Sequence, residues 1–376
     1  MLPPTDSQAV TNTPHYPYLD GLRGFLALYV VAHHIGFAIF GFSPMSPWFR
    51  ILTYGPLSVP VFIILSGFCL MLPVLGNNFR LRNGLSSFFM RRALRILPPY
   101  FSAIIFSLLL IHFLIGQKTG HQWDIALPAT TKSIVIHFLL LQNLFPDEGG
   151  KINFVFWSIS VEWQIYFFFP LLLWGWRSVG AVWTTLATIL ISSLMEKKLG
   201  HFTEAHFLGL FALGMFAAYI SFSSDAAATK YKAFPWRLIA LAALPSYFFL
   251  KNVQHEWAHL AGEAAFGCFA SALLIIASIN PKGWLRAFLN FKPLIFVGWF
   301  SYSLYLIHAP LIQVFLQYNF SQIQLGPNHL CIVLLLLGLP LIALISLLFY
   351  FFFEEPFLRT KMPQSGNRPI KLEPAN

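Results

Sequence analysis

The chain has 376 residues; 57% are hydrophobic, only 10% are charged, and the formal charge is +10. A soluble domain carries about 25% charged residues, so this chain has too little polar surface to make one. On such a chain the basic excess suits cytoplasmic loops against anionic lipid, with a share left for an anionic substrate, rather than nucleic acid. Met1–Tyr18 holds no Lys or Arg, and the first apolar run contains Arg23, His33 and His34, so the start does not read as a cleavable signal. Cys69, Cys268 and Cys331 lie in apolar stretches without a CxxC pair, which argues against a disulfide framework or a cysteine metal site. Three buried core thiols are expected.

In chain order, apolar runs fall at Leu22–Phe42, Leu57–Leu75, Pro98–Ile115, Ser133–Phe145, Phe154–Trp176, Val179–Leu194, Ala205–Phe222, Trp236–Leu250, Ala261–Ile279, Leu294–Leu316 and Leu330–Phe353. Three basic clusters mark the cytoplasm: Arg80 to Arg95, Lys282 to Lys292, and the tail with Arg359, Lys361, Arg368 and Lys371. Eleven crossings cannot place all three on one side. Ser133–Phe145 is the shortest run and suits a re-entrant or interfacial segment. Without it the clusters agree, and Lys230, Lys232 and Arg237 also fall inside. Lys197 and Lys198 fall outside, against the rule. The uncharged Asn319–His329 loop also falls outside. The expected fold is an all-α polytopic membrane protein with about ten transmembrane helices and one short re-entrant or interfacial segment. Residues 1–17 form a cytoplasmic segment, 18–357 the membrane domain and 358–376 a cytoplasmic tail.

Ionisable residues at membrane depth are costly and mark candidate sites. Arg23 and His34 are eleven residues apart, about 16 Å along a helix and on one face. His34 suits a general base, since neutral imidazole is the usual one. His33 lies on another face. Ser158, Glu162 and Tyr166 recur at i, i+4 and i+8 and form one polar stripe. Ser66-Gly67 suits close helix packing. Arg92 and Arg95 share a face at the entry to the third run, with Arg91 beside them; guanidinium pairs bind phosphate. His308 is again at mid-membrane, and His112 reads as a satisfied core residue. Asp20 suits an N-cap or an i, i+3 pair with Arg23.

Several of these segments carry a pattern together. Tyr18-Leu19-Asp20-Gly21-Leu22-Arg23-Gly24 resembles an LDGLR opening, and Arg23 with His34 matches Arg/Lys-x10-His. Phe62 to Phe68 resembles FFxLSGF, Arg92 to Pro98 RxxRIxP, and Trp157 to Tyr166 WSLSVEEQFY. Ser301 to His308 resembles SYSLYLWH, and Glu355-Pro356-Phe357 the closing ExPF. In this order they resemble the acyltransferase-3 family of membrane acyltransferases, over nearly the whole chain. Trp163 replaces the second acid of the EEQ motif, and Ile307 and Ala309 replace flanking tryptophans. Some relatives carry a C-terminal SGNH-hydrolase-like domain, for which no room is expected here.

The resemblance implies O-acyl transfer, commonly of acetyl, from cytoplasmic acyl-CoA to a hydroxyl of a carbohydrate or lipid-linked glycan, in a bacterial inner membrane; the charge thread puts both termini in the cytoplasm. It implies His34 and Glu162 as catalytic, and Arg23, Ser66, Arg92, Arg95, Trp157, Tyr166, Tyr302 and His308 as substrate-binding. Acyl-CoA is then the donor substrate, with no tightly bound cofactor and no metal. A proton-coupled transporter is the alternative, since mid-membrane His, Glu and Arg also serve carriers. His255-Glu256-Trp257-Ala258-His259 fits the H-E-x-x-H of zinc proteases. Leu19-Asp20-Gly21 comes far too early to complete such a site, so the match reads as chance.

Overall fold

The computed structural model describes residues 15–41, 46–120, 122–320 and 325–359. The tail charges Lys361, Arg368 and Lys371, most of segment 1–17 and part of the Asn319–His329 loop lie outside the described residues. Every regular element among the described residues is helical. The helices are α1 (Pro17–Phe40), α2 (Ser58–Leu75), α3 (Gly84–Leu110), α4 (Thr131–Phe138), α5 (Trp157–Val179), α6 (Ala181–Leu199), α7 (Phe207–Phe222) and α8 (Ala226–Lys232). They continue as α9 (Trp236–Lys251), α10 (Glu256–Ile279), α11 (Trp284–Leu289), α12 (Lys292–Trp299), α13 (Ser301–Val314), α14 (Pro327–Val333), α15 (Leu339–Phe353) and α16 (Glu355–Leu358).

Five helical runs are long and apolar enough to cross a bilayer: Pro17–Phe40, Phe49–Leu75, Gly84–Ile115, Trp257–Ile279 and Pro327–Phe353. Two bent pairs raise the number to seven, α7 with α8 at 95° and α12 with the run from Ser301 at 77°. The protein is therefore an all-α, polytopic membrane protein. The remaining crossings of the sequence thread fall on α5, α6 and α9, which length and apolarity alone do not qualify. α5 carries the polar stripe, α6 ends in Glu196, Lys197 and Lys198, and α9 has 16 residues. The run at Ser133–Phe145 forms the eight-residue α4, about 12 Å long and far short of a bilayer. Thr130 Oγ1 caps it by accepting from Ser133 N at 3.1 Å.

Two close helix crossings hold the bundle. α2 packs on α7 through Gly67 and Gly214. A Cβ on Gly67 would lie 2.1 Å from Phe211 O, and one on Gly214 1.9 Å from Ile64 O. α1 packs on α12 in the same way, with Gly24 against Leu294 O and Gly298 against Asp20 O. Lipid tails are as apolar as Leu, so helices associate in a bilayer by such close backbone approach rather than by hydrophobic burial.

The basic links converge at one end of the bundle. Arg286 lies over the Tyr18 ring at 4.3 Å, Tyr16 stacks near Phe222 at 4.7 Å, and Arg177 donates to Phe79 O at 2.7 Å. Three local expectations change. α1 begins at Pro17 with Tyr16 as its N-cap, so of the two roles expected for Asp20 the N-cap falls away and the i, i+3 pair with Arg23 stands. Cys268 is exposed rather than buried, Cys69 is half-buried and Cys331 is buried. His112 is exposed on a π-helical turn, its ring edge-on to Phe113.

A Gly214→Val substitution should force α2 and α7 apart and abolish the monodisperse species on size-exclusion chromatography in detergent. Gly76→Ala, where a Cβ meets nothing within 4 Å, should leave it intact.

Candidate active site

α1, α2, α3, α5 and α13 enclose a cavity of about 790 Å³. Small-molecule sites span roughly 300–1,000 Å³, so it can hold a substantial ligand. Its mouth lies at the basic end, among Arg82, Arg91, Arg92 and Arg95. Arg92 and Arg95 line it together because their spacing puts both on one face of α3. Arg91 and Arg95 are exposed, and Arg92 is half-buried. The Nε of Arg92 is buried without a hydrogen-bond partner among the described residues. That leaves a donor in place for an anion.

Arg23 joins them from α1. Its Nη1 donates to Asp20 Oδ1 at 2.6 Å and its Nη2 to Cys69 Sγ at 3.1 Å. Deeper in, the stripe on α5 faces the cavity. Tyr166 donates its hydroxyl to Glu162 Oε1 at 2.6 Å, and Ser66 Oγ lies 3.0 Å from that hydroxyl. With the Tyr166 proton committed to the carboxylate, Ser66 is the donor of the second bond. Ser158 Oγ lies 2.7 Å from the Tyr305 hydroxyl, and Tyr302 donates to Ile96 O at 3.1 Å. One cavity thus gathers Arg23, Ser66, Arg92, Arg95, Glu162, Tyr166 and Tyr302.

It does not include His34, His308 or Trp157. Trp157 packs on Phe207, with ring centroids 6.0 Å apart. The two histidines form a separate layer. Their ring centroids are 5.2 Å apart, and the His308 ring lies 5.8 Å from Tyr305, which lines the cavity. Tyr305 and Phe62, with ring centroids 6.2 Å apart, both line the cavity, and Tyr305 is the lining residue that touches His308. His308 is buried; its Nδ1 bonds to Tyr305 O at 2.7 Å, and its Nε2 has no partner among the described residues. His34 is half-buried, 5.0 Å from the Phe154 ring, with Nδ1 3.3 Å from Gln122 Oε1. Gln122 and Phe154 come from the α3–α4 and α4–α5 links, at the end opposite the arginines. His33 turns away and its Nδ1 reaches Leu52 O at 2.8 Å.

Two site residues escape the sequence reading. Gln122 orients His34 from a link that carries no motif. Glu354, one residue before the quoted ExPF residues, is buried and accepts from Ser303 N at 3.2 Å and Ser303 Oγ at 2.6 Å. Its place in that motif was the available signal. The carboxylate thereby satisfies the first turn of α13 just after its bend.

Residues 16–353 match the model of an acyltransferase domain, that of the acyltransferase-3 family. The chain belongs to this family. Among curated proteins it is 27% identical over 370 residues to the O-acetyltransferase OatA of Staphylococcus aureus, covering 92% of this chain and 57% of that protein. It is 26% identical over 333 residues to the putative peptidoglycan O-acetyltransferase YrhL of Bacillus subtilis, covering 80% of this chain and 50% of that protein. The chain thus spans little more than half the length of the curated relatives it matches. No solved structure matches it.

Tyr166→Phe should keep the fold but leave Glu162 without its hydroxyl donor. A cost of about 1–3 kcal/mol is expected, read as a lowered melting temperature in detergent.

Proposed function

We propose that the chain transfers an acyl group, acetyl in the first instance, from acyl-CoA to a hydroxyl of a cell-envelope glycan. One observation carries the reading: a single cavity joins a mouth of arginines to the Glu162–Tyr166–Ser66 cluster. Coenzyme A bears several phosphates, and the unpartnered Arg92 Nε with Arg95 beside it suits them. The names of the relatives support O-acetylation, and YrhL's names peptidoglycan as an acceptor class.

In this reading the basic end is cytoplasmic and both termini lie there. The donor enters past Arg92 and Arg95, and Arg23 guides its thioester arm inward. The acceptor approaches His34 from the opposite end. Gln122 Oε1 accepts from Nδ1–H of His34, which leaves the Nε2 lone pair as base. The acceptor oxygen bonds to the thioester carbonyl carbon, the carbon–sulfur bond breaks, and the hydroxyl proton taken by His34 goes to the leaving thiolate. The same nitrogen can instead carry the acyl group between donor and acceptor. Either route takes the acyl carbonyl past Tyr305, which lines the cavity and neighbours His308. Glu162 holds Tyr166 and, through it, Ser66 in a hydrogen-bond chain on the cavity wall, and Ser66 donates to the developing oxyanion by turning its hydroxyl away from Tyr166.

The test is acyl-CoA binding and hydrolysis by the purified protein in detergent. Arg92→Ala/Arg95→Ala should weaken binding by about 10-fold or more per arginine. His34→Ala should keep donor binding and lower transfer to a glycan acceptor by roughly 100-fold or more. An active His34→Ala enzyme at wild-type level would refute the role of that residue. Folded wild type that fails to bind acyl-CoA yet moves a solute across vesicles would favour a transporter.

A further inference from the structure

At the end opposite the arginines, three chain segments bring six titratable side chains together. Glu196 ends α6, His201, Glu204 and His206 fill the link to α7, and His259 and Glu263 lie in the first turns of α10. Glu196 is 1% exposed and His206 6%, so the centre of the group is buried, while His201 and His259 are exposed. The metal-binding atoms of Glu196, His201 and His259 lie within 4.8 Å of one another, and so do those of Glu196, Glu204 and His206.

The two carboxylate oxygens of Glu196 have different surroundings. Oε2 accepts from the backbone N of His206 at 2.8 Å and from His206 Nδ1 in a short bond. Oε1 faces His201 Nδ1 at 3.0 Å. One oxygen is therefore fixed by the protein and the other turned towards two accessible imidazoles. That is how a ligating carboxylate is held, with hydrogen bonds behind it setting its orientation. The network is also incomplete. His206 Nε2 is buried without a hydrogen-bond partner among the described residues and faces Glu263 Oε2 across 4.0 Å. Crowded carboxylates beside imidazoles with accessible nitrogens leave room for a cation.

We propose that Glu196 Oε1, His201 and His259 bind a divalent transition-metal ion, with His206 as the residue that positions Glu196. Imidazole and carboxylate donors without thiolate suit zinc or its neighbours rather than magnesium or calcium, which take oxygen ligands. The ion would pin the start of α10 to the α6–α7 link. This also separates the two histidines of the H-E-x-x-H match. His255 Nδ1 accepts from Trp257 N at 3.2 Å and caps α10, so His259 alone joins the cluster. Asp20 belongs to the start of α1, which meets the far end of α7 through Tyr16 against Phe222, and α7 has 16 residues and spans about 24 Å. The site is thus a structural clamp and independent of the acyl-transfer reading.

The experiment uses the full chain, purified in detergent without a polyhistidine tag or chelator. Elemental analysis should find near-stoichiometric transition metal. Stripping with a chelator should lower the melting temperature, and zinc should raise it again by about 5 °C where magnesium does not. A His201→Ala/His259→Ala variant, altered only at exposed positions, should fold, hold no metal and show no zinc-dependent shift. Wild type with neither bound metal nor a zinc shift would overturn the proposal, as would an equal zinc shift in the variant.

Discussion

Hydrocarbon solvates no charge, and that constraint arranges this molecule. A charged side chain at the centre of a membrane helix costs about 3 kcal/mol even by the more lenient scales. Each polar group at depth must therefore face another or face water. Arg23 is held by Asp20 and Cys69, Glu162 by Tyr166, and Glu354 by Ser303. The cavity exists because these groups turn inward together. The close backbone crossings of α2 with α7 and α1 with α12 keep them there without help from the hydrophobic effect.

The same constraint made much of the site legible. On a helix surrounded by lipid, a polar residue stands out against its neighbours, and its spacing gives its face. The Ser158, Glu162 and Tyr166 stripe follows from that spacing, as do the adjacent Arg92 and Arg95 and the contact at Gly67. Charge in the links foretold the end at which the arginines gather. α4 was legible as a short element because its apolar run is too brief to span.

The rest was hidden for physical reasons. Arg23 and His34 share a face by periodicity, yet Arg23 lines the cavity and His34 does not. A period cannot report the extent of a cavity that other helices help to line. Gln122 reaches His34 from a link without a pattern, and Glu354 meets Ser303 across 51 residues. The Glu196–His201–His259 group depends on tertiary proximity of three segments. α10 is apolar around most of its circumference, so its sequence gave no face for Cys268, which points outward.

The bend between α12 and α13 sets the cavity and the histidine layer in relation to each other. Tyr302 and His308 both ride on α13, just beyond the 77° turn, and Glu354 grips that helix at its first turn. A small rotation of this half-helix moves Tyr302 in the cavity and His308 beside His34 in one stroke. The cavity and the histidine layer are geared to a single joint, and the carboxylate of Glu354 is its bearing.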